Sequence, residues 1–396
     1  MPSSPPDPAL VYESPVVDGP TSHVLAIGIG DYPHLENGSG PLSRHAEGMG
    51  QLVSPPLSAR AFVDWVLTEF NHPERPLGSV ALIASEAQQA PYRNPITGQS
   101  YSVPSGTADE VEAAIQAWVD RAQRDPHNLA IFFFCGHGLA EGSVAALLLR
   151  DYGGKATKPF DGALNLPGLL SAMASRPPNH QLFIIDSCRI TSATFNANLS
   201  KVALGRTGVE ADPYARVGVP GECLQSVLHS TIEGAKAYGR PGEPSVYTQA
   251  LLKAFRGPGA NPGSGQWWVE TTSLQTALHH LITRGMSLPN NLQTPETMRS
   301  ATFGIHLPTQ LEIPTFISCT DGDAMSIAQF SCRLEGQMVA SIDCARDGLE
   351  GRWELPLSPD KYEFGVIFPA DAPFRSTTKL QMVSTPITFV TLSVKP

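Results

Sequence analysis

The chain has 396 residues, of which 41% are hydrophobic and 16% are charged. This composition supports hydrophobic cores, and the length suits one large domain with a smaller one. The formal net charge of −10 argues against a surface for nucleic acid or anionic membrane. The sequence also has no apolar run of about 18 residues, the length that spans a bilayer.

The first 20 residues are rich in Pro and polar side chains, which predicts a disordered lead-in. They carry neither the basic region nor the apolar core of a signal peptide, so we expect a cytoplasmic protein. The six cysteines include no Cys-x-x-Cys pair, which argues against a zinc site. Three of the six lie in the C-terminal region, which leaves a disulfide there as an alternative. Without a signal peptide we expect free thiols in a reducing compartment, and no metal or cofactor.

Residues 21–307 alternate between predicted strands and predicted helices. Apolar runs predict strands at 23–30, 79–84, 129–134, 181–185 and within 226–237. Helical periodicity predicts helices at 58–70, 107–124, 166–174, 245–255 and 273–283. Thr107 is a predicted N-cap, with Glu110 three residues later as its capping-box partner. A repeated strand–helix order is typical of an α/β three-layer sandwich.

Residues 308–396 follow a different pattern. Apolar and polar residues alternate at 328–334, 353–357 and 362–366, with Pro and Gly turns between these segments. Short alternating strands predict a small all-β sandwich, which we interpret as an accessory domain without a catalytic constellation.

Two of the apolar runs end in reactive side chains. The run 129–134 leads into Cys135-Gly136-His137-Gly138, and the run 181–185 leads into Asp186-Ser187-Cys188. Catalytic groups collect at the carboxyl ends of parallel strands, and a Cys with a nearby His can act as nucleophile and base. The alternative is that Cys188 is a structural thiol and His137 a turn residue.

These two motifs resemble the paired His and Cys motifs of the caspase-like cysteine peptidases. His137 precedes Cys188 by about 50 residues, as in that family. The Asp-Ser-Cys start is similar to the metacaspase and prokaryotic branch, whereas animal caspases carry Gln-Ala-Cys-Arg-Gly. The resemblance covers residues 21–307. It implies a caspase-like three-layer α/β/α sandwich with a mostly parallel sheet, and an endopeptidase that cleaves protein substrates.

The resemblance also implies roles for single residues. His137 and Cys188 would form the catalytic dyad, and the backbone N–H groups of Gly138 and Cys188 would bind the oxyanion. Asp186 points to the same face of its strand as Cys188. In metacaspases the matching Asp lines the pocket for a basic residue, because a carboxylate binds Lys or Arg. Asp31, which follows the first strand, is a second candidate substrate-binding residue.

One departure from metacaspases concerns substrate specificity. Their pocket usually takes a further acidic residue from an Asn-Asp-Ala segment of the first helix, where this chain reads Ser58-Ala59-Arg60-Ala61. Arg60 therefore keeps an alternative open, in which the pocket accepts an acidic residue. The other interpretation of Arg60 is a solvated helix charge.

The segment 191–222 is a long connection with little apolar periodicity, and such connections are usually functional or disordered. Caspase-like enzymes commonly mature by a cut in the matching linker. Lys201, Arg206 and Arg216 are candidate processing sites, for self-cleavage or for an activating protease. A calcium requirement stays open. The rival of a different class is a catalytically silent scaffold that binds a regulatory protein.

Overall fold

The computed structural model describes residues 7–15, 18–142, 144–198, 204–212, 214, 222–231, 242–263, 265–285, 293–349 and 351–395. The strands in chain order are β1 Leu10–Glu13, β2 Ser22–Ile29, β3 Leu77–Ser85, β4 Tyr92–Arg93, β5 Ser100–Tyr101, β6 Leu129–Gly136, β7 Gly138–Glu141, β8 Val144–Leu148, β9 Ala163–Asn165, β10 His180–Ser187, β11 Leu224–His229, β12 Ala260–Asn261, β13 Trp268–Glu270, β14 Glu296–Ser300, β15 Gly304–His306, β16 Ile313–Cys319, β17 Gln329–Leu334, β18 Gln337–Asp343, β19 Trp353–Leu357, β20 Lys361–Ile367, β21 Thr377–Met382 and β22 Thr388–Leu392. The helices are α1 Ser54–Thr68, α2 Ala108–Ala122, α3 Leu166–Ala174, α4 Ala193–Asn196, α5 Val246–Phe255, α6 Thr271–His280, α7 Gly322–Ile327 and α8 Cys344–Asp347, with a 3-10 turn at Pro159–Gly162 and a π turn at Leu281–Gly285.

A seven-stranded sheet forms the centre of the larger unit, in the order β1-β3-β2-β6-β10-β11-β14. The five inner strands are parallel, and the two edge strands are antiparallel to their neighbours. Every residue of β2 and β6 is buried, which explains their uninterrupted apolar runs. The predicted mostly parallel sheet is confirmed.

Helices cover both faces of this sheet. α2 and α3 pack on one face in a core that contains Trp118 and Leu169. α1, α5 and α6 pack on the other face, where the ring of Trp65 from α1 stacks on Phe255 from α5 at 4.1 Å. The predicted three-layer α/β/α arrangement is confirmed. So is the capping box of α2, in which Thr107 and Glu110 each bond the other's backbone N–H.

The N-terminal segment corrects one prediction. Residues 1–20 do not form a wholly disordered lead-in, because β1 pairs with β3 and Asp7 forms an ion pair with Arg121 at 3.0 Å. Val11 is fully buried. Burial of apolar side chains on an exposed sheet edge offsets the entropy cost of ordering the backbone, a gain that composition alone does not reveal.

The residues after β15 form two smaller sheets, β19-β16-β22 and β18-β17-β20-β21. Their inward side chains make a third hydrophobic core that runs from Ile313 to Val394. The predicted all-β unit is confirmed, whereas the domain boundary at 307–308 stays a prediction. This unit contacts the larger one through an ion pair between Lys253 of α5 and Glu354 of β19. In the part of the chain that the structure describes, no helix is long and apolar enough to cross a membrane.

Candidate active site

The β6 and β10 strands bring the two sequence motifs together. They pair in parallel register, with Cys135 opposite Asp186 and Gly136 opposite Ser187. The next residues along the two strands are His137 and Cys188. The register therefore places the candidate base and the candidate nucleophile side by side, just beyond the carboxyl edge of the sheet.

His137 is fixed by contacts from the segment that follows β2. Its backbone N–H donates to the hydroxyl of Tyr32 at 2.9 Å, and its imidazole lies 4.9 Å from the Tyr32 ring. The imidazole Nε2 lies 2.8 Å from the carbonyl oxygen of Gly50. A carbonyl oxygen can only accept, so Nε2 must carry the proton. In the neutral ring Nδ1 is then the acceptor, as a general base requires.

Burial lowers the pKa of His137 below its ordinary value, and the hydrogen bond to Gly50 opposes that shift in part. The imidazole is therefore neutral near pH 7. A neutral ring with a free acceptor nitrogen can take a proton from a thiol.

Gly138 allows close contact between the two strand ends. A Cβ atom at this position would lie 2.7 Å from the carbonyl oxygen of Cys188 and 2.6 Å from the Ser187 hydroxyl oxygen. Both distances are shorter than real Cβ contacts, so only glycine fits here without a shift of the backbone. Cys188 itself is partly exposed, as a nucleophile must be.

Asp186 lies behind Cys188 and is 2% exposed. Its Oδ2 accepts hydrogen bonds from the hydroxyl of Ser245, from the hydroxyl of Thr248 at 3.0 Å and from the thiol of Cys135 at 3.4 Å. Burial raises the pKa of this carboxyl group, and these hydrogen bonds oppose the rise. Ser245 is also the N-cap of α5, so Asp186 links the nucleophile strand to the start of that helix.

Comparison with known proteins agrees with this geometry. Residues 86–302, more than half of the chain, match the family model of the caspase domain, and the matched range includes His137 and Cys188. The chain belongs to the caspase-domain family. The cysteine peptidase class expected from the two motifs is supported at this coarse level.

Two individual proteins illustrate how far the similarity extends. The chain is 24% identical over 241 residues to "Uncharacterized protein y4kE" of Sinorhizobium fredii (strain NBRC 101917 / NGR234), which is 56% of this chain and 66% of that protein. The matched part is thus just under two thirds of that relative's length. Caspase-1 from Spodoptera frugiperda, a crystal structure, aligns at 11% identity with a TM-score of 0.38, over 78% of this chain and 94% of that one.

Two charged residues that the sequence offered as substrate-binding candidates have partners within the protein. Asp31 forms an ion pair with Arg150 at 2.9 Å, and its side chain is nearly buried. Arg60 forms a two-pronged ion pair with Glu86 and also donates to the carbonyl of Ala90 at 2.7 Å. Arg60 is therefore not the solvated helix charge of the second interpretation. Both residues therefore have a structural role as partners in ion pairs within the protein, which requires no substrate.

The candidate processing sites have different surroundings. Lys201 and Arg216 lie outside the described residues. Arg206 pairs with Asp109 and, at 2.9 Å, with Glu112 of α2, and its backbone forms a bridge with Leu164. The linker also contains α4, whose Phe195 is fully buried. The segment 191–222 is thus not irregular throughout. Isolated apolar residues in it pack on the core, and they follow no periodic pattern that would predict this order.

Sequence reasoning missed the groups that hold His137 and Asp186 in place. They are Tyr32, Gly50, Gln51, Ser245 and Thr248. Tyr32 lies shortly after the first predicted strand, but its contact with His137 spans about a hundred residues of chain. The helix predicted at 245–255 does begin at Ser245, which caps α5 by accepting from the backbone N–H of Thr248. No local pattern marks the hydrogen bonds from Ser245 and Thr248 to Asp186.

Proposed function

We propose that this protein is a cysteine endopeptidase in which His137 and Cys188 form the catalytic dyad. The observation that carries the proposal is the hydrogen bond from His137 Nε2 to Gly50, because it leaves Nδ1 as the acceptor of an imidazole that the strand register places beside Cys188. A structural thiol next to a turn histidine would not need this protonation state.

The chemistry follows from these positions. Nδ1 takes the thiol proton, and the thiolate attacks the carbonyl carbon of the scissile peptide. The N–H groups of Cys188 and Gly138 stabilise the resulting oxyanion. The imidazolium then gives its proton to the leaving amine, and a thioester remains on Cys188. Water, deprotonated by the same imidazole, hydrolyses the thioester and restores the thiol.

We propose a preference for Arg or Lys before the scissile bond, with Asp186 as the carboxylate that selects it. Two observations support this preference over an acidic one. Asp186 Oδ1 is buried and has no hydrogen-bond partner within the described part of the chain, so one oxygen remains for a cationic side chain. Arg60, the candidate for an acidic pocket, is already paired with Glu86.

The physiological setting is a further part of the proposal. The dyad needs a reduced thiol, which suits a cytoplasmic location. A protein is the substrate, and a cut in the linker, by the enzyme itself or by an activating protease, is the means of regulation. All three processing candidates are basic residues, which suits self-cleavage by an enzyme that cleaves after Arg or Lys.

The decisive experiment compares the wild type with Cys188→Ala and His137→Ala on a peptide library. We expect each variant to lose at least about a thousandfold in kcat, since loss of a nucleophile or its base costs three or more orders of magnitude. The melting temperature should stay near that of the wild type. A chloromethylketone peptide with a terminal Arg should label Cys188 in the wild type. Residual activity above trace in Cys188→Ala contradicts the dyad, and an inactive, unlabelled wild type supports the silent scaffold.

A further inference from the structure

The contacts around His137 extend beyond the dyad to Tyr32. This side chain is fully buried, and burial raises the pKa of its phenol well above the ordinary value, so the hydroxyl keeps its proton. The hydroxyl accepts from the N–H of His137 and donates to the carbonyl of Leu148 at 3.3 Å. The N–H of Leu148 in turn donates to the carbonyl of His137 at 2.9 Å. Tyr32 thus closes a ring of hydrogen bonds around the His137 backbone.

The acceptor for the imidazole, the carbonyl of Gly50, lies in the long connection between β2 and α1. Backbone hydrogen bonds from the N–H of Glu36 to Met49 and from the N–H of Leu52 to Gly30 hold this connection, and one side chain adds to them. The Oε1 of Gln51 accepts from the N–H of Tyr32 at 2.8 Å, and its Nε2 donates to the carbonyls of Tyr32 at 2.9 Å and Glu36 at 3.0 Å. Gly50 itself bridges to Glu36. The amide of Gln51 therefore ties the residue that follows Gly50 to Tyr32 and Glu36 near the start of the connection.

The geometry assigns Tyr32 and Gln51 as positioning residues for His137, an inference that rests on the proposed function. Tyr32 fixes the position and orientation of the imidazole through its hydrogen bond with the His137 backbone N–H and through its ring contact with the imidazole. Gln51 keeps the Gly50 carbonyl where it selects the Nε2–H tautomer. A misplacement of a catalytic group by about 1 Å can cost on the order of a hundredfold in rate, so the effect of losing either residue is measurable.

The test uses two substitutions with matched controls in the full-length protein. Tyr32→Phe removes one hydroxyl, and its control is Tyr152→Phe, because Tyr152 is equally buried and its hydroxyl has no hydrogen-bond partner among the described residues. Gln51→Ala removes an amide that binds backbone carbonyls. Its control is Gln181→Ala, because Gln181 donates to the carbonyls of Met173 and Pro178 at the opposite edge of the sheet.

The first readout is steady-state kinetics with a peptide that ends in Arg before a fluorogenic group. We expect Tyr32→Phe and Gln51→Ala to lower kcat about tenfold or more with little change in KM, the pattern of a lost transition-state interaction. The controls should keep the wild-type kcat even where their melting temperature falls. Unchanged kcat in both site variants overturns the inference, as does an equal loss of kcat in the controls.

The second readout does not need peptidase activity. Nitrogen chemical shifts of labelled histidine, assigned to His137 by comparison with His137→Gln, report which ring nitrogen carries the proton. We expect the Nε2–H tautomer in the wild type and a mixture of tautomers in Gln51→Ala. If Gln51→Ala does not fold, Gln51→Glu replaces it, because the carboxylate keeps the acceptor for Tyr32 and loses only the donor. An unchanged tautomer of His137 in a folded Gln51 variant refutes the inference. If the tautomer changes in the Gln51 variant as expected but the wild type cleaves no peptide, only the proposed function is refuted.

Discussion

The two sides of the candidate site differ in how well their polar groups are satisfied. On the His137 side, Tyr32, Gln51 and Gly50 form a connected set of hydrogen bonds around the imidazole. On the Cys188 side, Asp186 Oδ1, Arg189 Nε and both ring nitrogens of His229 are buried without a hydrogen-bond partner, as far as the described residues extend. Buried polar atoms without partners cost free energy, so they mark places where a ligand or another segment has hydrogen bonds to gain.

The candidate base, His137, and the candidate nucleophile, Cys188, lie in different surroundings. His137 is oriented by contacts within the described part of the chain. The Cys188 side contains an ion pair between Arg189 and Glu296, next to a neutral His229, and burial together with the nearby Arg189 lowers the pKa of His229 to about 3. We therefore expect substitutions on the His137 side to act on rate, and those on the Cys188 side to act on substrate selection.

Apart from replacement of His137 or Cys188 itself, the largest expected effect comes from Gly138→Ala, where the two sides touch. The added methyl group would lie 2.7 Å from the Cys188 carbonyl oxygen. We expect a fall in kcat/KM of about a hundredfold, because the backbone must shift by a substantial fraction of an ångström at the proposed oxyanion site. Peptide turnover measures this effect. Gly142→Asn is the control, since an added Cβ there meets no atom within 4 Å and Asn tolerates a positive φ. Equal activity of Gly138→Ala and Gly142→Asn contradicts the expected steric clash at Gly138.

Asp186 tests whether the Cys188 side selects the substrate. Asp186→Asn keeps the shape of the side chain and removes its charge. We expect kcat/KM for substrates with Arg or Lys to fall by about tenfold to a hundredfold, since the loss of a buried charge partner costs a few kcal/mol. Activity on a matched substrate with a neutral residue should change less. A wild-type library profile that favours Asp or Glu before the cut contradicts the assignment.

The linker gives a smaller and more local prediction. Arg206 is held by two ion pairs and a backbone bridge, and proteases need an extended, accessible segment. We expect the double variant Lys201→Ala with Arg216→Ala to block processing, and Arg206→Ala alone to leave the fragments unchanged. Mass spectrometry of the fragments after incubation identifies the cut. A cut after Arg206, or full activity of the uncut double variant, refutes this version of the switch.

The smallest expected effect concerns pH. The pKa of His137 is lowered by burial, so its folded-state value lies below the ordinary 6.5. The imidazole is an active base above its folded pKa and becomes inactive as pH falls through that value. We therefore expect the acid limb of kcat/KM to lie below pH 6.5, with most of the activity retained at that pH. A pH profile between 5 and 8 checks this, and an acid limb above 6.5 shows that the imidazole is less buried in the active form.

Local sequence determined most of the elements of the larger unit. The residues of α3, the capping box of α2 and the strands that end at the two motifs follow from patterns within a few residues, because periodicity and capping depend on near neighbours. The pairing of His137 with Cys188 also came from the sequence, through two motifs and their spacing. The contacts of the processing candidate Arg206 show what local sequence patterns do not predict. Its ion pairs connect it to residues about a hundred positions away, which no local pattern encodes.

The sequence by itself therefore determined which residues could carry the chemistry, and at which edge of the sheet they would meet. Only the tertiary structure decided how they are held. The proton on His137 Nε2 is fixed by the Gly50 carbonyl, and the Asp186 carboxylate is bound by hydroxyls at the start of α5. The ordering of β1 against β3 depends in the same way on a partner strand that is distant in sequence. The physical reason is common to all three, because hydrogen bonds and burial depend on which distant groups the fold brings within about 3 Å.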